Sequence, residues 1–335
     1  MSINAGTLIE SRIDLAARAA ARLLREATPT PIAVGIVGST AHGRCLIGSD
    51  LDLVALVDAA PAHAVTSSMV DGVRIDVEWL SSLDARCDAG RGGWIWELRK
   101  SARLGTALPL HDPDGALSSL AELAAAAPTD PVRYRRQLED TESQLGALQI
   151  GGMTEAESLR GALDSLAMLC LLITPYRYQK AKWTIDDLLD AGHDLLVGAI
   201  IDAYAIGARP LNRVVEDARA FVEAALSRSG EPDCATLVAM GYAPDHAAAS
   251  YVARSLYDAA DLMENRGFEA AAHYCACFSV RLASRLPGCG EPSDDPAYRA
   301  CFAGAAATPR AVAAAYRAID SCRAWLADAA AEATA

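Results

Sequence analysis

The spacing of apolar positions changes character about a third of the way along the chain. Up to Leu117 they form short runs bounded by Gly, Pro, Asp and Ser: Ile32 to Val37, Leu51 to Val57, Val73 to Leu80, and the pair Leu108 and Leu110. Short runs rich in β-branched residues predict strands. Ahead of the first run, Leu8, Ile9, Ile13, Ala16, Ala20, Leu23 and Leu24 recur at helical spacing with Arg and Glu between them, so 7–27 is expected to form an amphipathic helix that packs on the sheet. Thr28-Pro29-Thr30-Pro31 stops it, since proline cannot continue a helix. Ala59 to Ala62 reads as a loop, Gly90 to Gly93 as a glycine-rich turn, Trp94 to Leu104 as a helix, and Asp112-Pro113-Asp114-Gly115 as a turn by its chemistry.

Beyond Leu117 the strand signals fade and helix-length periodic segments take over, near 116–126, 131–149, 154–174, 184–206, 210–228, 246–264, 268–286 and 309–331. Gly- and Pro-containing pauses separate them. The pattern therefore predicts an α+β protein of two domains: a small mixed sheet with helices over 1–117, then an all-α helical bundle over 118–335. A chain of 335 residues is long enough for each domain to bury its own core.

The chemistry concentrates in the first domain. Asp50 and Asp52 open the second apolar run, and a strand alternates its faces, so the two carboxylates project together while Leu51 and Leu53 point the other way. Like charges at that spacing repel unless a cation lies between them, and all-oxygen ligands suit Mg²⁺. A third acid, Asp76 in VRIDVEWL, falls on the next expected strand and can complete a metal site, and Glu78 shares its face. Gly38-Ser39 follows the first strand where a helix is expected to begin, leaving backbone N–H groups free for phosphate oxygens.

Gly38-Ser39, ten intervening residues, Asp50-x-Asp52 and a third acid on a later strand resemble the signature of the nucleotidyltransferases of the DNA polymerase β superfamily. Within it the chain looks most like the small-molecule branch that includes kanamycin nucleotidyltransferase and the aminoglycoside adenylyltransferases. The motifs cover the first third of the chain; the remainder is similar in layout. The resemblance implies a magnesium-dependent, ATP-binding transferase of the antibiotic-modifying kind. It would move a nucleoside monophosphate, AMP from ATP by the branch's habit, onto a small-molecule hydroxyl. Asp50, Asp52 and Asp76 would hold the metal, and Gly38 and Ser39 the nucleotide.

By the same layout a general base comes from a helix early in the second domain, here RYRRQLEDTESQLGALQ, where Glu142 is preferred and Glu139 shares its face at a spacing of three. Asp76 or Glu78 would serve instead if two carboxylates suffice for the metal. After the apolar helix LAMLCLLI, the stretch YRYQKAKW sets Lys180 and Lys182 where the resemblance implies a contact with the triphosphate. Paired active sites across a homodimer also occur in that branch.

Composition narrows the partners. Asp and Glu number 43 against 30 Lys and Arg, a formal charge of −13, which argues against stable nucleic-acid binding and suits a cationic acceptor. Nine dispersed cysteines without a metal-ligand spacing read as buried thiols in a reducing cytoplasm. Glu10, Arg12 and Asp14 interrupt any signal-peptide core, and no uninterrupted apolar run is long enough to span a membrane. One other class competes: Arg266 and His273 fit the loose spacing of HEPN-type ribonucleases, although Gly267 replaces the polar residue expected after the arginine. That pairing would suggest a toxin–antitoxin relative modifying a protein or a tRNA.

Overall fold

The computed structural model describes residues 5–46, 48–59, 64–90, 102–127, 129–148, 153–174, 180–228 and most of 256–332. The chain is mixed α and β, with one five-stranded sheet, and it divides into two compact units, Met1–Thr129 and Asp130–Ala335. The division falls after the helix Ala116–Ala125, whereas the change in periodicity set it at 117.

In the first unit, α1 (Ala5–Glu26) precedes β1 (Ala33–Val37), the single helical turn α2 (Gly38–Ala41), β2 (Leu51–Val57), β3 (Ala64–Val70), β4 (Val73–Ser81), α3 (Ser82–Gly90), β5 (Leu108–His111) and α4 (Ala116–Ala125). The strand order is β3-β4-β2-β1-β5. β2 and β4 run parallel, and every other pairing is antiparallel. Two parallel neighbours need a return path, which β3 supplies: it runs back along the sheet edge and turns into β4 through Asp71 and Gly72, both at positive φ (51° and 77°). Two such residues make the tight hairpin whose twist matches its strands. β3 was not foreseen from the sequence, because Val65 and Met69 face solvent and only Val70, at its end, packs on the core.

Strand parity sorts the core. Leu51, Leu53 and Ala55 of β2 join Ile36, Ile75 and Val77 under Leu15 and Ala16 of α1. Val54 and Leu56 face the opposite way and join Leu80, Ala85 and Ala89, with Leu117, Leu120 and Ala124 of α4. Gly35 is bare where Leu117 crosses the sheet; a Cβ there would overlap the Leu117 side chain. α3 starts at Ser81, whose hydroxyl accepts from the Asp84 N–H at 3.0 Å and donates to the Asp84 carboxylate at 2.6 Å. Of the expected helix 94–104, residues 102–104 are described and are helical; the rest lies outside the described residues.

The second unit contains α5 (Pro131–Gly146), α6 (Met153–Leu172), a 3₁₀ turn (Ala181–Trp183), α7 (Thr184–Asp190), α8 (Asp194–Ala203), α9 (Leu211–Arg228), α10 (Glu269–Ala283), α11 (Pro296–Cys301) and α12 (Pro309–Glu332). Two helices begin on Asp-Pro, with Asp130 and Asp295 accepting backbone N–H groups from the turns they cap. The sequence predicts one helix over 184–206, but the chain breaks after Asp190. Gly192 takes φ 79°, its N–H reaches the Leu189 carbonyl and His193 N–H reaches Leu188, a glycine-based C-cap that ends one helix and re-aims the next. α11 was also not foreseen, and the expected helix 246–264 lies mostly outside the described residues. Among the described residues, no helix is long and apolar enough to cross a membrane.

Candidate functional site

The site assembles from the way β1, β2 and β4 line up. The parallel register sets Asp52 directly opposite Asp76, so both side chains leave the same face, and Asp50 lies two residues earlier on that side. One carboxylate oxygen from each of Asp50, Asp52 and Asp76 lies within 4.8 Å of the others. On the other flank Val37 pairs with Asp52, which brings the next residue, Gly38, over that carboxylate. Gly38 has φ 73°, and a Cβ there would overlap Asp52 Oδ2. Glycine is therefore favoured by the backbone conformation, and any side chain here would also displace the Asp52 carboxylate. Ser39 and Thr40 follow, both buried. Ser49 closes the turn ahead of the acids, its hydroxyl accepting from Leu46 N–H at 3.0 Å.

Three carboxylates at this separation repel by about 3 kcal/mol per pair at an effective dielectric of about 20. Two arginines offset part of this. Arg74, on the same strand face as Asp76, donates from Nε to Asp76 Oδ1 at 2.8 Å and from Nη2 to Ser67 Oγ at 3.3 Å. Arg103, in the helical turn before β5, donates from Nη1 to Glu78, while its Nη2 lies 3.7 Å from Asp52 Oδ1. Neither arginine was among the sequence candidates. Arg74 was legible, since it stands two residues before Asp76 on one strand; Arg103 carries no comparable signal.

The donor set fits a hard divalent cation: carboxylate oxygens only, half-buried and converging from two strands, with no sulfur or imidazole among them. Glu78 lies one step further along the same face, held by Arg103.

The candidates of the second unit have different surroundings. Glu142 on α5 accepts both its contacts from Arg323 Nη2 of α12, at 2.6 and 2.5 Å, and Glu139 stands exposed one turn earlier. Lys182 is only 2% exposed and donates to Asp258 at 3.2 Å, in an ion pair buried on both sides. Lys180 is half-buried, and its carbonyl accepts from Trp183 N–H at 2.9 Å. Of YRYQKAKW, Tyr176 to Gln179 lie outside the described residues, as does Arg266. His273 is buried on α10, where its Nδ1 accepts from Gly207 N–H at 3.4 Å. Burial first, then the Arg209 charge, pushes it down to about 4. It is a buried residue whose surroundings favour the neutral imidazole.

A second polar cluster, not foreseen from the sequence, lies inside this unit. Asp164 of α6 accepts from Tyr204 at 2.8 Å, from Tyr274 at 3.0 Å and from Arg281. Gly161, one turn before it, leaves room for the Arg281 guanidinium, 3.3 Å from where a Cβ would stand. Nearby, the Arg160 guanidinium lies 4.2 Å over the Phe302 ring and donates to the Ala203 carbonyl at 3.2 Å.

Against this geometry, a comparison with protein-family models finds no match to the chain, and neither does a comparison with curated proteins.

Proposed function

We propose that this chain is an enzyme that transfers a nucleoside monophosphate, AMP from ATP, to a hydroxyl of a small molecule such as an aminoglycoside or another hydroxylated amine, releasing pyrophosphate. The observation that carries the reading is the convergence of Asp50, Asp52 and Asp76 beside a glycine that the Asp52 carboxylate requires to be bare. A phosphate-binding Gly-Ser and a carboxylate triad thus come from three separate sequence segments to one place.

A magnesium ion held by Asp50, Asp52 and Asp76 would neutralise charge on the phosphates of the bound triphosphate. Gly38 and Ser39 hold phosphate oxygens with backbone N–H groups. The acceptor oxygen attacks the α-phosphorus in line, its bond to phosphorus forms as the bond to the β-phosphate oxygen breaks, and pyrophosphate departs. The hydroxyl proton passes to a carboxylate, for which we propose Glu142, with Glu139 as the neighbour on the same helix; Asp76 or Glu78 would take that role with only two acids on the metal. Lys180 and Lys182 are the lysines proposed for the triphosphate, and Lys182 is the one that already holds a buried ion pair with Asp258. The acidic chain, −13 overall, favours a cationic acceptor over a nucleic acid.

The test is pyrophosphate release with each of the four triphosphates and Mg²⁺, across a panel of aminoglycosides and related hydroxylated amines, with Asp50→Asn as control. Release that needs both an acceptor and Asp50 is the expected result. Triphosphate binding without release on any small acceptor would transfer the reading to a protein or tRNA acceptor. Absence of triphosphate binding would end it.

A further inference from the structure

Two guanidiniums reach into the carboxylate cluster, Arg74 on Asp76 and Arg103 on Glu78 and Asp52. The two arginines are not equivalent. Arg74 is 58% exposed along its side chain and sits at the rim on Asp76, whereas Arg103 is 26% exposed and spans two strands, with one nitrogen on Glu78 and the other 3.7 Å from Asp52. The Asp52 contact is the longer arm of that bridge, beyond hydrogen-bond length, and it falls on a carboxylate that belongs to the triad.

Resting on the nucleotidyl-transfer reading, we infer that Arg103 is an exchangeable counter-cation. It shields Asp52 in the metal-free protein, yields Asp52 to the divalent ion, stays anchored on Glu78, and turns its Nη2 to the triphosphate. Glu78 is then a positioning residue, holding the guanidinium fork beside the metal. A guanidinium suits both states, because the N–H donors along its planar edges serve a carboxylate and a phosphate by the same fork geometry. The device has a definite sign. Arg103 competes with the metal and cooperates with the nucleotide, so removing it helps one ligand and harms the other, while a side chain that merely held the fold would weaken both.

The experiment uses the full chain. Free Mn²⁺ is followed by electron paramagnetic resonance during titration of the wild type, Arg103→Gln, Arg103→Lys and Asp50→Asn. Binding of α,β-methylene-ATP is then measured at saturating Mn²⁺, with circular dichroism confirming that each variant is folded. Arg103→Gln is expected to bind Mn²⁺ several-fold tighter, and the nucleotide weaker by on the order of tenfold. Arg103→Lys, which keeps the charge and loses the fork, should hold Mn²⁺ near the wild-type affinity and recover only part of the nucleotide affinity. It decides the matter should the Gln variant not fold. Mn²⁺ affinity unchanged or lowered in Arg103→Gln, or nucleotide affinity unaltered, overturns the inference while Asp50-dependent Mn²⁺ binding leaves the transferase reading standing. Mn²⁺ binding that Asp50→Asn does not diminish overturns both.

Discussion

The molecule holds two clusters of acids and arginines, one in each unit, and they are built on opposite principles. Around Asp52 and Asp76 three carboxylates converge, the side chains are half-buried, and the bridge from Arg103 reaches Asp52 at 3.7 Å. Around Asp164 one carboxylate is saturated by two tyrosine hydroxyls and a buried guanidinium, and Tyr204 and Tyr274 are wholly enclosed. The first arrangement gathers like charges that a cation would relieve; in the second, two hydroxyls and a guanidinium answer a single carboxylate. Residue type is the same in both, so on the proposed reading burial and the balance of partners separate a ligand site from an internal brace.

The sharpest way to break this contrast is to neutralise one acid in each cluster. Asp52→Asn should lower Mg²⁺-dependent pyrophosphate release by at least about 10³-fold, about 4 kcal/mol of barrier, since a triad ligand is lost. Its unfolding free energy in urea should hold or rise slightly, because a like-charge contact is relieved. Asp164→Asn should do the reverse to stability. It leaves the Arg281 guanidinium buried without its counter-charge, and the loss in a urea titration should be about 3–5 kcal/mol. If Asp52→Asn destabilised as much as Asp164→Asn, the first cluster would be a brace as well.

The site was more legible in the sequence than its surroundings, for a physical reason. Asp50 and Asp52 share a strand and therefore a face, so the period of two alone places them together. Asp76 required only that its strand be a neighbour, and the parallel register supplies that. The edge strand β3 was obscured because an exposed strand has no buried face to pattern it. Asp71-Gly72 between Val70 and Val73 was nevertheless a hairpin signal available in the sequence. The Asp164 cluster was illegible in a different way. Its members come from α6, the end of α8 and α10, and each looks locally like a polar residue in an apolar helix. Only tertiary packing shows that Asp164, Tyr204, Tyr274 and Arg281 answer one another. Lys182 was read by resemblance as a triphosphate contact, and its burial against Asp258 comes from a residue 76 positions away.

Intermediate effects refine the contrast from each side. In the second unit His273 titrates from 6.5 down to about 4 on folding, through burial and then Arg209. The folded state disfavours the imidazolium, so its contribution is fully present above pH 6.5 and is lost as pH falls toward 4, by roughly 3 kcal/mol. Protonation also removes the lone pair that accepts from Gly207 N–H. The unfolding free energy of His273→Gln should therefore fall less than that of the wild type between pH 7 and 4, and parallel curves would show that the histidine is not the interior proton acceptor. In the first unit, Gly38→Ala should cost about 1–3 kcal/mol from the positive φ and the crowding of Asp52, and it should weaken Mn²⁺ binding alongside. Weakened stability with unchanged Mn²⁺ affinity would detach Gly38 from the site.

The smallest effect concerns Glu142, the carboxylate proposed as base. Its partner Arg323 makes two short contacts, yet the two side chains are 36% and 51% exposed, and pairs that open to water contribute little. Arg323→Ala should change the unfolding free energy by less than about 1 kcal/mol. Glu142→Gln removes the same pair and should register on the same small scale in stability, so a fall in pyrophosphate release of about 10²-fold or more in that variant would report lost proton transfer, with unfolding excluded as its cause. Release within a few-fold of wild type would move the base to the first unit, where Glu78 and Asp76 share a strand face with the rest of the site. The comparison of the two clusters would then tighten, because every group that acts on substrate would belong to the unsaturated one.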